Sequence, residues 1–352
     1  MRKGWIALLC AALVVCAAPT ANAEEDLTLS ARCAVLTGPD GQILYERAAH
    51  ERCPIASTTK LMTALVALDH CDLREEVAID AAACGIEGSS LYLQPGERYT
   101  AEELLTGLLL VSGNDAAEAL ALHCAGSEAR FVAWMNEKAG ALGMQDSHFM
   151  NPHGLSDPEH YGSAADLTVL LRACLERPEL AGILGKSSAT VEEQCIANHN
   201  KLLWRCPGCL GGKTGYTLAA GRCLVSCCER DGTRLYCATL SAPDDWNDQL
   251  ALYEWGFARF ATRNVTENLR FSVPVISGSQ RDVSLRADPL WLFLPLDAEL
   301  RIETELPRFV FPPAREGETG GLVTVLRDGE ILGSAALRFA ESVQAQKKET
   351  IP

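Results

Sequence analysis

Apolar and polar positions change period several times along this chain, and each change marks an element. Over residues 29–48, LSARCAVLTGPDGQILYERA, apolar and polar residues alternate on either side of Pro39-Asp40-Gly41, which predicts a β-hairpin. From Ser57 the period lengthens: Leu61, Leu65 and Leu68 recur at helical spacing, with Ala64 and Ala67 beside them. Thr100-Ala-Glu-Glu103 reads as a capping box ahead of Leu104, Leu105, Leu108, Leu109 and Leu110. The run breaks at SGN (Ser112 to Asn114) and resumes as DAAEALALHCA, a helix with an acidic first turn. Helical text follows over 131–142 and 164–175. After Gly212 the period shortens to two in KTGYT, RCLVSCC and RLYCATL, the last two joined by a turn at Asp231-Gly232, and WNDQLALYEWGFARFA predicts a closing helix with core aromatics.

Beyond Thr262 the chain reads as short alternating strands, LRFSVPVI, DVSLRA, LWLFLP and LRIETEL, then a hairpin about Asp328-Gly329. Uninterrupted by a long helix, residues 264–342 are expected to form a small all-β domain, with 343–352 as a frayed polar tail. The predicted layout is an α/β (α+β) domain over 24–263, an antiparallel sheet covered by helices, followed by that β domain.

Composition narrows the setting. Residues 1–23 carry two basic residues, an apolar run and Ala21-Asn22-Ala23, the order of a cleaved secretory leader, so the mature chain is expected outside the cytoplasmic membrane. The formal net charge of −15 becomes two units more negative when Arg2 and Lys3 leave with it. Such a surface repels a phosphate backbone, and nucleic acid is excluded as a partner. Of 15 cysteines, two fall in the leader and the odd number that remain lie mostly in apolar runs, which reads as core packing in a poorly oxidising environment.

Candidate chemistry begins with STTK. Positions i and i+3 share a helix face, so Ser57 and Lys60 are neighbours. Taken alone the pair is an N-cap and a helix former; SGN alone is a turn, and KTG alone is a strand entering a bend. Together, in order, they match the Ser-x-x-Lys, Ser-Asp-Asn, Lys-Thr-Gly set, with Gly113 in place of the middle Asp. ASTTKLMTALVAL, GSSLYLQPGE, LLTGLLLVSGNDAAEALA, SHFMNPHGL, HYGSAADL, NKLLW and GGKTGYT extend the match. On these segments the chain resembles the low-molecular-mass penicillin-binding proteins, serine-type D-alanyl-D-alanine carboxypeptidases, over essentially its whole mature length.

The residue types suit that chemistry. Ser57 at a helix N-terminus would attack the carbonyl between two D-alanines. Lys60, among small and apolar residues, would act as its neutral base. Ser112 can relay a proton, and Asn114 can hold Lys60 and the substrate amide. Lys213 and Thr214 suit a terminal carboxylate, with Lys213 expected as a fixed positive charge, and Gly215 lets the substrate backbone lie close. The resemblance further implies an oxyanion hole from the N–H groups of Ser57 and Tyr216. Peptidoglycan stem peptides and β-lactams are the implied partners.

No cofactor and no metal are expected, since His148, His153 and His160 match segments with structural roles in the family. Cys206 and Cys209, in WRCPGCLGG, are expected as a local disulfide or two free thiols. Three competing functions share features with this chain. A β-lactamase would need a Glu-x-x-Leu-Asn segment that is missing between SGN and KTG. A cross-linking transpeptidase of the same fold would usually add a membrane anchor and a larger preceding module. A catalytically silent wall-binding protein would have no need of a buried lysine beside a serine. Family members often end in an amphipathic helix on the membrane, whereas this chain stops after a polar tail, so peripheral membrane contact and oligomeric state stay open.

Overall fold

The computed structural model describes residues 27–346. The leader expected at 1–23 lies outside the described residues. In chain order the first part holds β1 (Cys33–Thr37), β2 (Ile43–Arg47), α1 (Lys60–His70), β3 (Glu76–Ala78), β4 (Arg98–Thr100), α2 (Ala101–Leu110), α3 (Asn114–Ala125) and α4 (Glu128–Leu142). Then follow α5 (Ala164–Leu175), α6 (Pro178–Leu184), β5 (Ser188–Val191), β6 (Gln194–Ala197), α7 (Leu202–Arg205), β7 (Cys209–Thr217), β8 (Gly221–Arg230), β9 (Thr233–Leu240) and α8 (Asp245–Phe257). The remainder is β10 (Phe260–Asn264), β11 (Arg270–Pro274), β12 (Asp282–Ala287), β13 (Trp291–Pro295), β14 (Arg301–Glu305), β15 (Thr319–Arg327) and β16 (Glu330–Phe339).

A five-stranded antiparallel sheet, β2-β1-β9-β8-β7, divides the first part. Its strands are apolar on both faces, and the two-residue period sorts them. Cys33 and Val35 of β1 face one core with Val225, Cys227 and Ala238, while Ala34 and Leu36 face another with Leu224, Leu235 and Cys237. Helices α1 to α6 cover the first face and α8 the second. α1 is buried on every side, from Leu61 through Leu68, which explains why its sequence lacks a polar stripe. Losing one such leucine to alanine costs about 2–5 kcal/mol, so the helix that carries Ser57 at its mouth is firmly anchored. The capping box appears as expected: Thr100 Oγ1 accepts from Glu103 N, and Glu103 accepts from Thr100 N at 2.8 Å.

The cysteines behave as core fillers. Cys33, Cys53, Cys174, Cys223, Cys227 and Cys237 are buried, and every described cysteine is a free thiol. Cys206 does not face Cys209 alone; its Sγ lies 3.1 Å from Cys228 Sγ on β8.

Two expectations need correction. The closing helix stops at Phe257, and Phe260–Asn264 is a strand. It pairs with β13, and Phe260 stacks on Phe293 at 5.8 Å, a sheet contact that the helix-like spacing concealed. Phe257 and Phe260 are accordingly half-buried, not core. The tail is also tied down at its start: Val343 is fully buried and bridges Ala314, and Ala345 bridges Gly278. The rest of the tail lies outside the described residues.

The β-rich part forms a second five-stranded sheet, β11-β12-β16-β15-β14, around its own core of Val273, Val283, Leu285, Val323 and Leu337. The β10-β13 ribbon ties it to the first sheet, where Thr262 N donates to Thr233 Oγ1 at 2.8 Å and the Phe293 ring packs over Gly38.

Candidate active site

Ser57 occupies a 3-10 turn, Ala56–Thr59, that leads directly into α1. Its side chain caps nothing, so the N-cap reading of this serine fails; Thr58 closes the turn instead, its N and Oγ1 both donating to Ile55 O. Lys60, the first residue of α1, is fully buried. Its Nζ meets three oxygens: Asn114 Oδ1 at 2.6 Å, His153 O at 2.6 Å and Ser57 Oγ at 3.0 Å. Burial foremost, and then the charge of Lys213, hold this amine well below the usual lysine range, against a smaller opposing pull from Asp115. A neutral amine has two N–H bonds and one lone pair. Asn114 Oδ1 and the His153 carbonyl can only accept, so both N–H bonds go to them. The lone pair is left for the one partner with a proton to give, the Ser57 hydroxyl.

The opposite wall is built by the loop between α2 and α3 and by β7. Ser112 sits in that loop at φ +67, a left-handed angle that costs a non-glycine residue about 1 kcal/mol or more. Its Oγ accepts from Lys213 Nζ at 3.1 Å, and Lys213 also donates to Thr214 O at 2.9 Å. Lys213 is 1% exposed, and burial lowers it to about 7. Burial thus opposes the fixed positive charge expected there. Gly215 lies against the turn, where a Cβ would stand 3.0 Å from both Ile55 O and Ser57 N. Thr214 and Gly215 are half-buried and Tyr216 is 63% exposed at the rim.

All eight residues expected from sequence therefore converge on one region. Ser57, Ser112, Thr214, Gly215 and Tyr216 line a cleft of about 960 Å³, and Lys60, Asn114 and Lys213 stand behind them. Several participants had no sequence signal. His153 acts through its backbone carbonyl, which residue type cannot reveal. Asp115 was legible only as an acid in a first helical turn. It accepts from Leu91 N at 3.0 Å, Leu93 N at 3.1 Å and Ser90 Oγ at 2.5 Å, and so fastens the 90–93 segment beside the cleft. The β5-β6 hairpin with His199 adds a third wall; His199 N donates to Leu110 O at 2.9 Å. His160 is structural in its bonds, joining Thr59 Oγ1 at 2.8 Å to Met150 N at 3.1 Å.

A helix-covered antiparallel sheet with a buried Ser-Lys pair at the mouth of its central helix, and a Lys-Thr-Gly edge strand facing it, defines the penicillin-binding class of serine hydrolases. Comparison narrows this further, because the family model described as D-alanyl-D-alanine carboxypeptidase matches residues 19–244, and the chain belongs to that family. It is 43% identical to D-alanyl-D-alanine carboxypeptidase DacB2 of Mycobacterium tuberculosis, over 62% of this chain and 79% of that protein. It is 29% identical to DacF of Bacillus subtilis over 98% of this chain and 95% of that one. Among solved structures, penicillin binding protein 5 from Haemophilus influenzae matches 90% of this chain and 98% of its own at 29% identity, with a TM-score of 0.68.

Proposed function

We propose that this serine carboxypeptidase removes the terminal D-alanine from peptidoglycan stem peptides through an acyl-enzyme on Ser57, and that penicillins trap it at the same stage. The observation that carries the assignment is the placing of the buried Lys60 Nζ 3.0 Å from Ser57 Oγ, with Asn114 Oδ1 and the His153 carbonyl as its two other partners. Ser57 Oγ attacks the penultimate carbonyl and its proton passes to Lys60 Nζ. The oxyanion is received by the N–H groups of Ser57 and Tyr216, each donor in such a hole being worth about 3–4 kcal/mol. Collapse of the adduct breaks the C–N bond, and Ser112 delivers the proton that lets free D-alanine leave. Water then attacks the ester and restores the serine.

Lys213 and Thr214 receive the substrate's terminal carboxylate. An anion beside Lys213 favours its charged form, so docking restores the charge that burial weakens. An acidic protein can thus hold an acidic peptide. Asn114 positions Lys60 and the substrate amide, and Gly215 lets the bound backbone lie against β7. Arg222, also in the cleft, is engaged by Asp245 at 2.8 Å, which makes it a weaker competitor for that carboxylate.

Residues 24–263 carry the chemistry and 264–342 form an accessory β domain. Removal of the 1–23 leader on export leaves the enzyme on the outer side of the cytoplasmic membrane; among the described residues no helix is long and apolar enough to cross a membrane. The deciding experiment follows the products of a D-Ala-D-Ala peptide. Shortened peptide with a new free carboxylate, equal to substrate consumed, supports carboxypeptidase action, whereas transfer of the acyl group to an added amine in preference to water assigns a transpeptidase.

A further inference from the structure

One step behind the acceptors of Lys60 lies a second cluster. Glu118 stands one turn after Asn114 on the same face of α3. His153, whose carbonyl accepts from Lys60, turns its ring toward the same place, and Glu128 joins from the start of α4. One potential ligand atom from each of the three lies within 4.8 Å of the others. Glu118 is 6% exposed and His153 8% exposed, and the Glu118 carboxylate has no hydrogen-bond or ion-pair partner among the described residues. Its oxygens keep some contact with solvent, since Arg263 Nε is the one fully buried side-chain polar atom without a partner among the described residues. Burial and the charge of Glu128 both act on Glu118 in the same sense, pushing its carboxyl up to about 7.

We propose that Glu118, Glu128 and His153 bind a divalent first-row transition-metal ion, with water completing the shell, and that this ion braces the two segments that hold Asn114 and the His153 carbonyl against Lys60. The donor set suits the class, since carboxylates and imidazole together fit Mn²⁺, Fe²⁺ or Zn²⁺. Two ligands bound at about 2.1 Å stand no more than about 4.2 Å apart, so closure asks for only a small side-chain rotation. His153 Nδ1 lies 3.3 Å from Leu155 N, a long contact given up when Nε2 binds metal and Nδ1 keeps the proton. The N-terminal end of α4 opposes a cation with about half an elementary charge. Two formal carboxylate charges outweigh it. Because the ligands come from three separate elements, the histidine spacing in the sequence fits no metal pattern.

The test uses the full chain stripped with a chelator, and Mn²⁺ as probe, because the free thiols would compete for Zn²⁺. Electron paramagnetic resonance titration is expected to find one tight Mn²⁺ per chain. Pulsed measurement should detect coupling to an imidazole nitrogen, and saturating Mn²⁺ should raise Tm by several degrees. Glu128→Gln should weaken binding by about tenfold or more, and Glu118→Gln should abolish it. Mn²⁺ binding undiminished in Glu128→Gln, bound Mn²⁺ with no nitrogen coupling, or no binding beyond weak surface association would each overturn the site. Penicillin acylation of Ser57, followed in parallel, tests the catalytic reading separately.

Discussion

Lys213 Nζ and Ser112 Oγ meet across the cleft at 3.1 Å, joining the edge strand β7 to a serine held at a left-handed backbone angle. In the proposed mechanism the contact puts the carboxylate-binding charge and the proton relay on one hydrogen bond. Anything that changes the charge of Lys213 is therefore felt at both steps.

Burial lowers Lys213 to about 7, so before an anion docks it is charged below that pH and neutral above it. The expected result is that kcat/KM for a D-Ala-D-Ala peptide with a free carboxylate falls as pH rises through about 7, relative to an analogue amidated at that end. Lys213→Ala should lower the free acid at least about tenfold more than the amide. Equal losses on both substrates would reduce Lys213 to a structural residue.

Ser57→Ala is expected to abolish labelling by a fluorescent penicillin with Tm nearly unchanged, because the hydroxyl caps no helix. Lys60→Arg should lower acylation by about 10²–10⁴-fold, since a guanidinium stays protonated and cannot take the serine proton. Near-normal acylation in the arginine variant would remove Lys60 as the base.

Gly154 supports the turn from behind. A Cβ there would stand 2.0 Å from Ala56 O, and its φ of +84 disfavours any side chain. Gly154→Ala should destabilise the protein by about 2–3 kcal/mol and slow acylation, because Ala56 precedes the nucleophile. Thermal unfolding together with acylation kinetics checks both effects, and an unchanged Tm would contradict the contact.

A chain ending after Asn264 retains every residue of the cleft but loses β13, and with it the Phe260–Phe293 stack. Penicillin acylation should persist while Tm falls by several degrees. Loss of acylation with the truncated chain still folded would mean that the β domain helps to shape the site.

The thiols beside β7 offer a last check. Cys206 Sγ faces Cys228 Sγ at 3.1 Å, so oxidation should yield a Cys206–Cys228 bridge in disulfide mapping before any Cys206–Cys209 loop. Reduction should change acylation by less than about tenfold, or about 1.4 kcal/mol in the barrier. Complete loss on reduction would make the CPGC segment part of the catalytic apparatus.

What could be read from the sequence was whatever local period and residue type carry. The apolar stripe of α1, the capping box at Thr100, the paired strands β8 and β9, and the eight motif residues were all legible for that reason. The failures share a different cause. The helix expected through Ala261 ends at Phe257 because Phe260 finds a ring on a distant strand, and Val343 is held because a bridge to Ala314 captures it. The Asp115 carboxylate serves the site by accepting from the backbone N–H groups of a distant segment, His153 serves it through its carbonyl, and Glu118 meets Glu128 and His153 only after three elements fold together. Contacts of that kind leave no periodic trace.

In the order β2-β1-β9-β8-β7 the Lys-Thr-Gly strand has a single neighbour, so its outer row of peptide groups is left to whatever enters the cleft. An occupant that aligns an extended backbone there becomes a temporary sixth strand, and its alignment is set by peptide groups before any side chain is read. A ligand shifted by one residue would present its other face to Ser57. The proposed mechanism thereby makes the choice of scissile bond a matter of strand register, and inhibitors built to keep the N–H and C=O spacing of the extended chain should outlast those that imitate only its terminal charge.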